Sequence, residues 1–203
     1  NGNKDIYAQG LDATGTTIWN ADGIAACIDV AAQESPEIAV DILGAYLIWK
    51  DMRAGNYDLY ATRINANGTI PWAANGSVVC TATGTQEQPQ LIPNGFGGLI
   101  AVWRDLRVAT GDIYYQLLNA SGTAQLTANG VVVSTAVGNK QNPQIVSDGF
   151  TGGAIIAWQF TTSGWDIYAQ RMKSGTPLWG VTGVAVCSVT YNEEQLQLIS
   201  DGN

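Results

Sequence analysis

Polar and apolar residues alternate along "DIYAQR", which begins at Asp166, so Ile and Ala point one way and Tyr and Gln the other. "LIAVW" at Leu99 and "AIIAW" at Ala154 are instead short unbroken apolar runs rich in β-branched residues. Gly, Asn, Asp and Pro bound both kinds of segment. Lengths of five to seven residues with a period of two predict strands, and no window sustains the 3.6-residue period of a helix. The connections "SDGFTGGA", "DATGT" and "NANGT" predict hairpin turns, because Gly and Asn accept positive φ at little cost.

The pattern repeats. "DIYAQGLDATGTTIW" at Asp5 returns as "DLYATRINANGTIPW" at Asp58, "DIYYQLLNASGTAQL" at Asp112 and "DIYAQRMKSGTPLW" at Asp166. Trp19, Trp72, Leu126 and Trp179 follow in register, then Cys27, Cys80, Ser134 and Cys187, each set at intervals of 53, 54 and 53. A proline-led segment comes next, at Pro36, Pro89, Pro143 and, with leucine in place of proline, Leu196. The apolar runs that carry Trp49, Trp103 and Trp158 complete the unit. Four short strands in a period of this size predict the four-stranded antiparallel blade of a β-propeller.

The combined line "P-Q-I-x-S-D-G-x-x-G-G-x-I-x-x-W-x-D-x-R … D-I-Y-A-Q-R" resembles the repeats of secreted bacterial β-propellers of the sialidase-like and kelch-like kind, over essentially the whole chain. The resemblance implies an all-β fold at the cell surface or outside the cell. It also implies an order from the axis outward: proline-led, Trp-ended, Tyr-bearing and Cys-ended strand. On that register residues 1–203 form one propeller domain or fragment of about 3.75 blades. Residues 1–35 give the outer strands of a first blade, 36–88, 89–142 and 143–195 three full blades, and 196–203 the inner strand of another. Bare strand edges associate readily. The expected partner is therefore the remainder of the same ring or another copy of the chain. Two family motifs are not matched. "DATGTTIW" sets Gly15 three residues after Asp12 and Trp19 four further on, which fits neither the S-x-D-x-G-x-T-W box of sialidases nor the docking repeat of quinoprotein dehydrogenases.

Composition narrows the chemistry. Hydrophobic residues make up 46% and charged residues 13%, a globular balance. A net charge of −8 argues against nucleic acid and anionic membranes as partners. No apolar run approaches the roughly 18 residues of a membrane span. Histidine is absent, so Ser-His-Asp and Cys-His catalysis are excluded within these residues. No cofactor is expected.

Several recurring residues read as structural. Cys27, Cys80 and Cys187 occupy equivalent slots in different blades, beyond the roughly 7 Å Cα separation that limits a disulfide. Buried free thiols are therefore expected. Trp49, Trp103 and Trp158 are expected to pack between blades. Asp51 with Arg53, and Asp105 with Arg107, are expected to brace one blade against the next. The third repeat breaks this pair, with Gln159 and Thr161 read in those places. Asp5, Asp58, Asp112 and Asp166 read as turn devices. Calcium is the alternative, but no D-x-D-x-D-G loop occurs and no metal site is expected.

Binding is expected where the repeats differ. The loops "AAQES", "TQEQ", "NKQN" and "YNEE" feed the inner strands and place Gln33, Glu34, Gln86, Glu87, Lys140, Gln141, Glu193 and Glu194 near the axis. Tyr57 and Trp165 border the same face. Glu34, Glu87, Gln141, Glu194, Tyr57 and Trp165 are the candidate ligand-binding set, suited to a glycan or a protein loop. Without histidine, an arginine cluster or a family motif, the expectation is a non-catalytic scaffold or binding module. The alternatives are a fragment of a glycan-active hydrolase, using Glu87 with Glu34 or Glu194, and a structural repeat of an extracellular assembly.

Overall fold

The computed structural model describes residues 3–162, 164–189, 192–193 and 195–200. These residues are all β, in four antiparallel sheets set around a partial ring, and contain no helix. The first sheet pairs β1 (Ile6–Ala8) with β2 (Ile24–Cys27). The second runs in the order β3 (Gln33–Asp41), β4 (Gly44–Asp51), β5 (Asp58–Asn65), β6 (Ser77–Cys80). The third repeats it as β7 (Gln86–Pro93), β8 (Leu99–Asp105), β9 (Asp112–Leu118), β10 (Val131–Val132). The fourth contains β11 (Asn139–Ser147), β12 (Gly153–Thr161) and β13 (Trp165–Lys173), with β14 (Thr176–Pro177) and β15 (Val184–Cys187) both paired to β13. Of the further inner strand read from the sequence at 196–203, residues 196–199 take no regular strand conformation, and 201–203 lie outside the described residues. Their start is nevertheless in register. The Glu193 N–H donates to the Trp165 carbonyl at 2.8 Å, as Gln33 does to Lys4, Gln86 to Tyr57 and Lys140 to Gly111.

The core lies between sheets. A strand such as β4 is buried on both faces, so alternate residues serve different joints. Ala45, Leu47 and Trp49 face the first sheet, in a cluster with Ile6 and Cys27. Tyr46 and Ile48 face the third, against Leu91, Leu99 and Trp103. Ile100 and Val102 in turn meet Ile145 and Trp158. The continuous apolar runs are this double burial seen in sequence.

Turn chemistry fixes how the joints close. At Gly122, with φ of +77°, a Cβ would lie 2.7 Å from the Trp72 ring, so only glycine suits both the turn and the indole packed on it. Trp72 also donates its Nε1 to the Ala120 carbonyl at 2.9 Å, tying one blade to the hairpin of the next.

The first two joints are built alike. Asp51 is fully buried and accepts from Trp49 Nε1 at 3.0 Å, from the Arg53 backbone N–H, and from Arg53 Nε and Nη2 at 2.9 and 2.6 Å. Arg53 donates onward to the Asn75 carbonyl, touches Cys27 Sγ at 3.3 Å and lies 3.8 Å over the Tyr60 ring. Asp105, Arg107, Trp103, Asn129, Cys80 and Tyr114 repeat this arrangement. Burial pushes the Cys80 thiol pKa up to about 12, so it is an inert packed group. Cys27, Cys80 and Cys187 are all free, the last only partly buried.

The third joint is rebuilt. Strand register sets Phe160 opposite Asp166 as Asp51 stands opposite Asp58, so Phe160, not Gln159, takes the aspartate's place. Its ring packs edge-on against Tyr168 at 4.9 Å, where an arginine stacks in the other joints. Trp158 Nε1 is left buried without an acceptor among the described residues. Lys140 is fully buried in the slot held elsewhere by Gln33 and Gln86, and donates to Asp112 Oδ1 at 2.6 Å. Ser134, standing in the cysteine slot, donates to the Thr182 carbonyl at 2.8 Å.

Candidate functional site: the axial cleft

The inner strands share one irregularity. Pairing slips between Glu34 and Glu37, between Glu87 and Gln90, and between Gln141 and Gln144. At each slip one residue takes a left-handed backbone: Ser35 at φ 51°, Gln88 at 52° and Asn142 at 51°. Gln195 matches them at 58°. Three of the four precede proline, which further restricts the backbone. A bulge recurring at one register position and holding non-glycine residues at positive φ re-aims side chains, a device found next to binding sites.

Here it re-aims them at the axis. A cleft of about 650 Å³ lies where the inner strands converge. Ser35, Gln88, Asn142 and Gln195 line it, with Glu37, Gln90, Gln144 and Gln197, one from each repeat in both sets. Lys50 and Glu87 complete the polar wall. Gln88 and Asn142 bridge adjacent blades: Gln88 Nε2 donates to Asn142 Oδ1 at 2.7 Å, and the Asn142 backbone N–H donates to Gln88 Oε1 at 2.8 Å. Asn142 Nδ2 donates in turn to Gln159 Oε1.

The charged groups differ in environment. Glu87 is ion-paired with Arg104 Nη1 at 2.6 Å. Arg104 is itself held by the Lys140 carbonyl at 3.0 Å and Asn139 Oδ1 at 3.1 Å, so the pair is oriented from behind. Glu37 makes no ion pair among the described residues. It keeps access to solvent in the cleft, but the protein packed around its carboxyl raises its pKa.

The sequence-predicted set is distributed as follows. Glu87 lines the cleft. Gln141 is one step behind, with its Nε2 3.3 Å from Gln159 Oε1. Glu34 and Tyr57 sit on the adjoining shoulder, where Glu34 accepts from Lys4 at 2.7 Å and from Tyr57 at 2.9 Å. Those two contacts hold the Glu34 carboxyl below its usual range, and Lys50 lies 4.4 Å over the Tyr57 ring. Trp165 begins β13 and is not in the cleft wall. Glu194 lies outside the described residues. Gln33, Gln86 and Lys140 are buried under the loops instead of facing the axis, because each bonds carbonyls of the loop that leads to it. Sequence reasoning missed Glu37. The available signal was the residue after each proline position, polar in all four repeats (Glu37, Gln90, Gln144, Gln197) although it lies in the innermost strand.

No family model and no curated protein matches the sequence. Among solved structures, the chain is similar to an endo-arabinase from Bacteroides thetaiotaomicron, at 17% identity and a TM-score of 0.48, covering 75% of this chain and 59% of that one. It is similar to Zg3597, a family 117 glycoside hydrolase produced by Zobellia galactanivorans, at 13% identity and a TM-score of 0.45, covering 77% and 47%. A third is a structure from the GH130 family, described as mannoside phosphorylases containing glycoside hydrolases that target β-1,2 mannosidic linkages in Candida mannan. It matches at 10% identity and a TM-score of 0.49, covering 92% and 62%. The chain thus spans about half to three-fifths of the length of these proteins. The expectation of a non-catalytic scaffold or binding module is corrected here in favour of its alternative, a fragment of a glycan-active hydrolase, because these similar structures are described as glycoside hydrolases. The likeness is one of fold alone, and the fold is that of β-propeller blades.

Proposed function

We propose that the axial cleft is a glycan site and that the chain is a glycan-active module of hydrolase type. The observation that carries this reading is Glu37, a carboxyl with raised pKa facing the same cleft as the ion-paired Glu87. Two carboxyl groups in unlike environments are the minimum equipment for cleaving a glycosidic bond. Glu37, protonated further up the pH scale than an ordinary glutamate, donates its proton to the leaving glycosidic oxygen. Glu87, ion-paired with Arg104, supplies the carboxylate that stabilises positive charge at the sugar carbon or activates the attacking water. The amides of Gln88, Gln90, Gln144 and Gln197 supply paired donors and acceptors suited to sugar hydroxyls. Polymeric glycans are met outside the cell, so this reading goes with a secreted or cell-surface protein. No helix of the described residues is long and apolar enough to cross a membrane.

The test is release of reducing ends from neutral polysaccharides such as arabinan and β-1,2-mannan. Glu37→Gln and Glu87→Gln are each expected to lower kcat by at least roughly 100-fold, the scale of one general acid or base, while sugar binding is retained. Turnover should fall as pH rises through the Glu37 pKa. Full activity in both variants would overturn the reading.

A further inference from the structure

The third joint also differs from the others at its far end, where the inner strands turn back away from the cleft. A hollow of about 370 Å³ lies there, between the β7–β8 hairpin and the β11–β12 hairpin of the next sheet. The repeats show what is missing from it. Trp19 and Trp72 donate their Nε1 to carbonyls of the following sheet, Ala66 at 3.1 Å and Ala120 at 2.9 Å, and close the first two joints. Leu126 stands in their place at the third. Arg63 reaches from β5 to the Gly97 carbonyl of the following hairpin at 3.3 Å. Its counterpart 54 residues on, in β9, is Leu117. Two side chains that bridge the second joint are thus both leucine at the third, and both leucines line the hollow. Space left unfilled in this way costs stability unless something occupies it. One wall is Phe96, which is 69% exposed. It is held, not loose: the Phe96 N–H donates to Asn94 Oδ1 at 2.8 Å, and the Gly98 N–H to the same oxygen at 3.0 Å. Asn119, Gln125 and Ser174 add amides and a hydroxyl to the lining, and no charged residue among the described residues lines it.

We propose that this hollow is a second glycan-binding site, separate from the axial cleft, and that it holds one uncharged sugar residue of a neutral polysaccharide. The choice of polymer rests on the glycan reading of the cleft; the site itself rests on the rebuilt joint. One face of the sugar ring lies on the Phe96 ring, above a floor of Leu117 and Leu126. Its hydroxyls meet the Asn119 and Gln125 amides and the Ser174 hydroxyl, which both donate and accept. A mainly apolar hollow with a few convergent polar groups suits such a ligand, and the uncharged lining selects against uronate or sulfated sugars, whose charge would be buried without a partner.

The probes are arabinohexaose and β-1,2-linked mannohexaose. Each is titrated into the full 203-residue chain carrying Glu37→Gln and Glu87→Gln, so that the sugar is not consumed, and followed by NMR of the side-chain amides. Saturable shifts at Asn119 and Gln125 are expected with at least one probe. The cleft amides of Gln88 and Gln90 report on the other site separately. Phe96→Ala, at an exposed position, is expected to weaken the response at Asn119 and Gln125 at least roughly tenfold, as loss of an aromatic anchor does. Leu117→Arg, which restores the residue that bridges the second joint, should do the same by filling the hollow, and an unchanged melting temperature shows that the fold is kept. Shifts at Asn119 and Gln125 that disappear in Leu117→Arg support the proposal whether or not the cleft responds. A response at Gln88 and Gln90 alone would overturn it and leave the cleft reading standing. No response at either place would overturn it, as would shifts at Asn119 and Gln125 that are unchanged in both Phe96→Ala and Leu117→Arg.

Discussion

The indole Nε1 of Trp103 donates to Oδ2 of Asp105 at 2.8 Å, and both side chains are fully buried. The same carboxylate takes Nη2 of Arg107 at 2.7 Å. A buried charge held this way is costly to leave half-paired. Asp105→Asn is therefore expected to destabilise the chain by about 3 kcal/mol, the lower end for breaking a buried pair because Arg107 keeps some access to water. Urea unfolding should show a lower midpoint with an unchanged slope. Asp51→Asn should behave alike, since its surroundings repeat those of Asp105.

The pH dependence of stability follows from the same carboxyls. Burial alone pushes Asp51 and Asp105 up, but the Arg53 and Arg107 contacts and the tryptophan hydrogen bonds outweigh it, and both end below 3.8. Such a carboxyl binds its proton more weakly folded than unfolded. Its contribution is complete above the unfolded pKa and is lost as pH falls through the folded one. The unfolding free energy is expected to fall steeply below about pH 4. Asp105→Asn should flatten that fall; an unchanged slope in the variant would contradict the assignment.

Trp49 and Trp158 separate packing from hydrogen bonding. Both are fully buried at equivalent places, but Trp49 Nε1 donates to Asp51 whereas Trp158 Nε1 has no acceptor among the described residues. Trp49→Phe removes ring volume and one hydrogen bond to a charged group. Trp158→Phe removes ring volume and relieves an orphaned donor. Trp49→Phe is expected to cost more by about 1–3 kcal/mol. Equal losses in thermal unfolding would mean that the indole hydrogen bond contributes nothing.

The architecture was legible because burial on both faces of β4, β8 and β12 leaves unbroken apolar runs, and because Asp5, Asp58, Asp112 and Asp166 keep the register. The cleft was not. A bulge is a backbone event, and Ser35, Gln88, Asn142 and Gln195 share no side-chain type that announces it. Looking to the variable loops that feed the inner strands therefore pointed at Glu34 and Gln141, while the slip turns Glu37 and Gln144 to the axis. The third joint misled for a related reason. Gln159 is the polar residue nearest Trp158 in sequence, but strand register gives the aspartate's place to Phe160.

Ser35 isolates the cost of that bulge. Its φ of 51° is left-handed and it precedes Pro36. A non-glycine residue there costs about 1–2 kcal/mol relative to ordinary backbone. Glycine removes that cost but adds unfolded-state entropy of roughly 0.5–1 kcal/mol. Ser35→Gly is accordingly expected to be as stable as the natural chain or up to about 1.5 kcal/mol more so. Ser35→Val, β-branched where φ is positive, is expected to be clearly less stable. If the bulge exists to aim Glu37, straightening it matters more to the cleft than to the fold. Ser35→Val should therefore lower glycan turnover by more than its melting temperature implies, whereas Ser35→Gly should leave turnover intact. The ordering Gly, Ser, Val in thermal unfolding checks the strain, and a reversed order would show that Ser35 is not held against its own preference.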